Sequence, residues 1–381
     1  MRQTKAWSDW LETRWVSPSY GGWLLLGLAV FFFAAATNTM AGWLYVISGG
    51  MLAILAIAAL LPPRSLKHVQ VSRMPIYPIS AGDALQVELR IDNPTPHARG
   101  LLELSDLLPF VVGAPERSAL ETLPAQGQYR WAYSRVMEQR GVYRWHTVHL
   151  RTAAPFGLFW RRQAFTQPAI AVVYPQVLPL SSCPLVDEQG ADEQKELQSI
   201  QRPDSASEGM TRALRPYRWG DPIRMVHWRS SARYGDLRVR ELEVITGGQA
   251  LVIALDSGIA WSVEAFEEAV IVAASLYFYA LKQKLQVSLW TAGTGTVDGQ
   301  QQVLEVLAAT QAEEEPRPIA GQRPDLPLVW LTPRGDRLED LPAGSRWMLW
   351  DETGRSPSTT QRLGVLRQPE DPLQIQLQRS L

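Results

Sequence analysis

The sequence of 381 residues is too long for one compact core of ordinary size, which argues for more than one folded unit. With 37 basic and 38 acidic residues the chain as a whole is neither a polyanion binder nor an acidic tail, so any charge-based role must come from local clustering. The single cysteine, Cys183, excludes an internal disulfide and a cysteine-built zinc site.

The chain opens with Trp7, Trp10, Leu11 and Trp15 close to helical spacing, which predicts an interfacial amphipathic segment over residues 1–20. Ordinary tryptophan anchoring of a helix end is the plainer reading and serves the same purpose. From Gly21 to Met40 and again from Gly42 to Leu61 there is no charged residue. Each run is about 20 residues, enough to cross roughly 30 Å of hydrocarbon as a helix, and together they predict a transmembrane hairpin over 21–61. A buried core hairpin competes, but two uncharged runs back to back are rare in soluble cores. A cleaved signal peptide would have a shorter apolar region with no second one at its heels. Arg2, Lys5 and Arg14 precede the first helix, while Arg64, Lys67 and Arg73 follow the second. The positive-inside rule then sets both termini and the soluble body in the cytoplasm.

Pro62 and Pro63 are expected to break the second helix, after which the pattern changes to period-two alternation, as in ALQVELRID and YRWHTVHLRT. Residues 66–175 therefore predict a small β-sandwich, with turn signals at Gly82, Asn93 and Gly127. His146 and His149 alternate on such a strand, which favours a solvated face over a metal site. Residues 181–208 carry seven acidic residues and few large apolar ones, which predicts a flexible acidic linker, with Cys183 in a mobile stretch. Beyond it, ALVIALD, LQVSLW, LPLVWLTP and SRWMLWD read as buried strands, separated by helical runs at Val263 to Lys284 and Gln300 to Ala312. Continuous apolar strands alternating with amphipathic helices predict an α/β domain over 209–381, with a mostly parallel sheet covered on both faces.

Between the two domains, Arg212, Arg215, Arg218, Arg224, Arg229, Arg233, Arg238 and Arg240 crowd into a short span, interleaved with Tyr217, Trp219, Trp228 and Tyr234. Guanidinium groups fork onto carboxylates and phosphates and stack on rings, so the mix suits a recognition surface or an internal clamp. Gly220-Asp221-Pro222 reads as a tight turn with Asp221 as its cap. The run RALRPYRWGDPIRMVHWRSSARYGDLRVREL resembles the signature of the bacterial family catalogued as domain of unknown function 58. The residues that carry the resemblance are Arg215, Tyr217, Gly220, Asp221, Arg224, His227, Trp228, Ala232, Arg233, Val239, Arg240 and Glu241, with Arg238 beside them. RGVYRWHTVHLRTAAPFGLFWRR resembles the end of that family's β-domain, through Arg140-Gly141, Tyr143 and Pro155 to Phe159.

The resemblance implies a domain similar to von Willebrand factor type A. It also implies a partner, a MoxR-type AAA+ ATPase, with the chain as membrane-anchored adaptor or scaffold and neither enzyme nor cofactor binder. In von Willebrand-like domains an Asp-x-Ser-x-Ser motif holds Mg²⁺ through hard oxygen ligands. Here the place reads Asp256-Ser257-Gly258-Ile259-Ala260, so Asp256 marks a degenerate site, and the reading is that it ends the strand and caps the following helix. Two alternatives use the arginine segment otherwise. A phosphoester hydrolase would take His227 with Asp221 or Asp236 as general base, although a hydrogen-bonded histidine in a packed turn accounts for the same residues. Nucleic-acid binding would use the guanidinium groups, but the acidic Asp221, Asp236, Glu241 and Glu243 favour internal pairing.

Overall fold

The computed structural model describes residues 10–187, 210–217, 226–243, 250–317, 324, 326–338, 340–342, 344–351 and 363–380. The chain divides into two compact units, Met1–Tyr174 and Pro175–Leu381.

In the first unit, residues 10–14 are helical, and β1 (Ser17–Pro18) leads into α1 (Tyr20–Thr39) and α2 (Gly42–Leu66). Met40, in the left-handed region at φ 52°, turns one helix back on the other. The pair packs through small residues, with Ala29, Ala36, Ser48 and Ala58 buried and the Ser48 hydroxyl donating to the Ala29 carbonyl at 2.8 Å. The large side chains Leu24, Phe31, Phe33, Val46, Ile54, Ile57 and Leu60 face outward. Two helices long and apolar enough to cross a membrane are thus present. The expected break at Pro62 and Pro63 does not occur, because α2 runs on to Leu66. Proline removes one helical hydrogen bond per ring. The extra turn carries Leu66 into the sandwich interior, where it is 1% exposed among Val69, Leu102 and Leu123, so burial offsets that loss.

The strands β2 (Gln70–Arg73), β4 (Ala84–Asp92) and β7 (Gln128–Val136) form one antiparallel sheet. The other runs β1-β9-β8-β5-β6, from β5 (Arg99–Asp106), β6 (Glu116–Leu123), β8 (Gly141–Thr152) and β9 (Phe159–Tyr174). The short β3 (Ile79–Ser80) joins β9 in parallel. Alternation does what the sequence anticipates: Leu85, Val87, Leu89 and Ile91 of β4 point inward and their neighbours outward. Between the sheets lies a buried charge network. Arg73 grips Asp106 bidentately at 2.6 and 2.8 Å, the Tyr133 hydroxyl donates to Asp106 at 2.7 Å and the Trp145 indole N–H at 3.3 Å. The two charged side chains are 3% and 0% exposed. Burial and then the Asp106 carboxylate push the Tyr133 phenol far up, so it stays a protonated donor.

In the second unit the strands are β10 (Met210–Pro216), β11 (Arg238–Glu243), β12 (Ala250–Leu255), β13 (Gln286–Thr291), β14 (Gly295–Val297), β15 (Leu328–Thr332), β16 (Arg346–Leu349) and β17 (Gly364–Leu366). The helices are α3 (Trp228–Tyr234), α4 (Val263–Lys282), α5 (Gln300–Ala309) and α6 (Leu373–Gln378). The main sheet has the order β14-β13-β12-β15-β16-β17, parallel from β13 to β17 with β14 antiparallel at the edge, so it is mixed. The apolar run of β12 is explained by burial on both faces. Leu251, Ile253 and Leu255 join the core under α4 and α5, while Val252 and Ala254 join a second cluster with Trp290, Trp330 and Trp347. Among the described residues, α4, α5 and α6 lie against the first face, and Leu338 and Leu341 pack on the second.

The acidic linker does not start at Ser181. Leu180, Cys183, Leu185 and Val186 are buried in the core of the second unit. Asp187 caps this segment by accepting from the Cys183 N–H at 2.9 Å, and it also takes the Tyr279 hydroxyl. These four apolar residues join the core to which α4 contributes, although the local composition reads as polar. Residues 188–208 lie outside the described residues.

Candidate functional site

The arginine segment is built on a hairpin. β10 and β11 pair antiparallel, with Arg215 opposite Val239, Leu214 opposite Arg240 and Ala213 opposite Glu241. The ladder continues where the Tyr217 N–H donates to the Leu237 carbonyl at 2.8 Å. On the other side of β11, Val226 bridges to Val239 and the His227 N–H donates to the Arg238 carbonyl at 2.8 Å. Val226 and Val239 are buried, so this bridge has its own small apolar pin.

His227 starts α3. Its Nδ1 accepts from the Ser230 N–H at 3.2 Å and lies 2.7 Å from the Ser230 hydroxyl, the arrangement of a helix cap. Ser231 is the second fastener: its buried hydroxyl donates to the His227 carbonyl at 3.1 Å and accepts from the Arg238 N–H at 2.9 Å. Gly235, at φ +76°, ends the helix and donates to the Ser231 carbonyl. Fixed at both ends, this single helix of two turns carries Trp228, Arg229, Ala232 and Arg233 toward solvent, Trp228 being 63% exposed. Arg229 and Arg233 are spaced i, i+4, a like-charge arrangement that weakens a helix slightly unless something anionic meets it.

Of the residues singled out in the sequence, Tyr217, His227, Trp228, Arg233 and Arg238 fall together on this hairpin and helix. Arg215, Arg240 and Glu241 lie on the paired strands, where the backbone alone is described. Gly220, Asp221 and Arg224 lie outside the described residues. Sequence reasoning missed Ser230, Ser231 and Gly235, which hold the arrangement. A serine three residues after His227 and a glycine after the last helical residue were the available signals.

The second place of interest is the C-terminal end of β12, where the chain's order in the sheet reverses between β13 and β15. Asp256 is buried there, and its carboxylate accepts from the Thr332 hydroxyl at 3.0 Å. It does not cap the next helix. Ser262 does, accepting from the Ala265 N–H, because the intervening loop carries the chain away from Asp256 before α4 begins. Ser257 spends its hydroxyl on Glu314 at 2.7 Å and on the Ala292 N–H at 3.0 Å. Gly258 and Ala260 bring no side-chain oxygen, and among the described residues no cluster of three metal-binding side chains occurs.

Residues 213–327 match the family described as Protein of unknown function DUF58. The Bacillus subtilis (strain 168) protein described as Uncharacterized protein YeaD is 26% identical over 307 residues, covering 74% of this chain and 71% of its own. Among solved structures, the CARDB domain of PF1109 from Pyrococcus furiosus resembles 28% of this chain and 93% of its own, at 11% identity and a TM-score of 0.20. A beta-glucosidase from Listeria innocua resembles 29% of this chain and 16% of its own, at 11% identity and a TM-score of 0.17. Scores of that size establish neither a shared fold nor a shared activity.

Proposed function

Taking the DUF58 match over residues 213–327 as premise, we propose that this chain is a membrane-anchored adaptor that acts with a MoxR-type AAA+ ATPase in assembling or maturing protein complexes. In this reading α1 and α2 span the inner membrane with both ends cytoplasmic, and the second unit works as a domain similar to von Willebrand factor type A. The outward-facing Phe31, Phe33, Val46 and Ile54 support the span, since such a surface is stable in hydrocarbon and unfavourable in water. The five parallel strands with helices on one face support the second part.

The observation that carries the proposal is the exposed Trp228, Arg229 and Arg233 face of α3, held rigid by Ser231 and Gly235. A tryptophan followed by two exposed arginines on a helix capped at both ends has the composition of an interface anchor for an acidic protein surface. Purification of the full chain in mild detergent should bring down an AAA+ ATPase. The double change Arg229→Glu and Arg233→Glu should lose it while the chain stays in the membrane fraction. Retention of the ATPase by that variant would remove this face from the interface. Hydrolysis through His227 would have to use Nε2, because Nδ1 is already committed to the cap.

A further inference from the structure

The first unit meets its own helices at a specific place. The Ser19 N–H donates to the Leu158 carbonyl at 2.8 Å and the Ser19 hydroxyl to the Gly157 carbonyl at 2.7 Å, so α1 begins against the turn that joins β8 to β9. A Cβ on Gly22 would stand 2.3 Å from the Leu158 carbonyl oxygen, so the helix can approach the turn this closely only with glycine there. Upstream, Glu12 is buried against Arg151 at 2.6 Å, and Arg161 donates to the Trp15 carbonyl at 2.7 Å. The second helix is fixed at the same end, through Leu66 in the sandwich core. The sandwich is therefore fastened to the helix pair at both the entry to α1 and the exit from α2.

We infer that the β8–β9 turn is itself a membrane contact, with the Phe156 ring seated at the boundary between lipid headgroups and acyl chains. This rests on the spanning of α1 and α2 proposed above. The 20 residues of α1 rise about 30 Å, the thickness of the hydrocarbon, so the lipid boundary falls at its first turn. The β8–β9 turn is hydrogen-bonded to that first turn and lies at the same depth. Phe156 in this turn is 53% exposed, and Trp15, Tyr20 and Trp23, which flank the Ser19 that the turn binds, are exposed as well. One exposed phenylalanine is unremarkable by itself. At this depth it completes an aromatic ring of the kind that marks membrane interfaces, and Arg14, Arg64 and Lys67 add cations suited to anionic headgroups. At the opposite end of the sandwich, Phe110 in the β5–β6 loop is 98% exposed and serves as the comparison.

The test uses the full chain in nanodiscs of phosphatidylcholine and phosphatidylglycerol, with an environment-sensitive fluorophore on an introduced cysteine. Cys183 is fully buried and burial pushes its thiol up to about 12, so at pH 7.5 the label goes to the new site. Three variants are compared: Phe156→Cys, Phe31→Cys within α1, and Phe110→Cys. The Phe156 label should be quenched by lipids spin-labelled near the headgroup and several-fold less by aqueous iodide than the Phe110 label. A Phe156 label that behaves as the Phe110 label does, while the Phe31 label is quenched from deep in the bilayer, overturns the inference and leaves the span intact. Shielding from both quenchers would mean burial against protein and also overturns it. If the Phe31 label is itself open to iodide, the span fails and this inference with it.

Discussion

Asp106 offers the sharpest test of how the β-sandwich is held. Asp106→Leu keeps the volume close but leaves the Arg73 guanidinium in a dry interior with both bonds to Asp106 gone and only the Gln167 carbonyl, 3.4 Å from its Nε, remaining, and it removes the partner of Tyr133. Breaking one side of a buried pair costs about 3–5 kcal/mol, because the remaining charge is uncompensated. At roughly 1.4 kcal/mol per factor of ten, amide exchange through opening of the sandwich should accelerate by roughly a hundred- to a few-thousand-fold. Hydrogen exchange read by mass spectrometry on peptides from β2, β5 and β7 measures this in the intact chain. The triple change Arg73→Met, Asp106→Leu and Tyr133→Phe removes the charges and the stranded hydroxyl together. Its stability should return to within about 2 kcal/mol of the parent, the remainder coming from the Trp145 N–H at 3.3 Å. Unchanged exchange in Asp106→Leu would mean that the buried pair does not hold the two sheets together, and a triple variant no better than the single would assign the loss to packing instead of charge.

Other outcomes follow from the same geometry. His227→Ala should cost α3 about 1 kcal/mol through loss of the cap, whereas His227→Asn should keep most of it, read as exchange protection at Ser230 and Ser231. Gly22→Val should force the β8–β9 turn away from α1, seen as faster proteolysis between residues 153 and 158. Hydrogen bonds from Arg367, at 2.8 Å on both carboxylate oxygens, hold Glu268 below the usual glutamate range. The fold therefore favours the ionised form, and this contribution is complete above about pH 4.3 and lost as pH falls through the lower folded value. Exchange at β17 and α6, corrected for intrinsic rate, should then rise in acid, and Glu268→Gln should flatten that dependence. Maleimide should modify Cys183 only after the second unit opens, so the labelling rate should track the urea dependence of unfolding.

Much of the fold was readable because its signals are strong and local. The uncharged runs give α1 and α2, the alternation in β4 and β8 gives the sandwich, and β12 reads as buried on both faces because it is. The readings that failed depended on contacts made at a distance. Pro62 and Pro63 are helix breakers by local chemistry, yet the pocket waiting for Leu66 keeps the helix going. The segment around Cys183 is polar in composition, yet its few apolar residues meet α4 from nearly a hundred positions away. Asp256 sits at the strand end as expected, but its partner Thr332 is contributed by β15, which no local pattern links to it. In the signature, the arginines drew attention by their number, while Ser231, which ties His227 to Arg238, looked like filler.

The double fastening of the β-sandwich has a mechanical consequence. A domain hung from one flexible stalk can swivel, and any tug on it is absorbed by reorientation. Here Ser19 and Leu66 act as two separated pivots at one end of the same rigid block, so rotation about either is blocked by the other. A load applied to the block must be transmitted as torque to the helix pair, tilting it as a lever instead of merely stretching a tether.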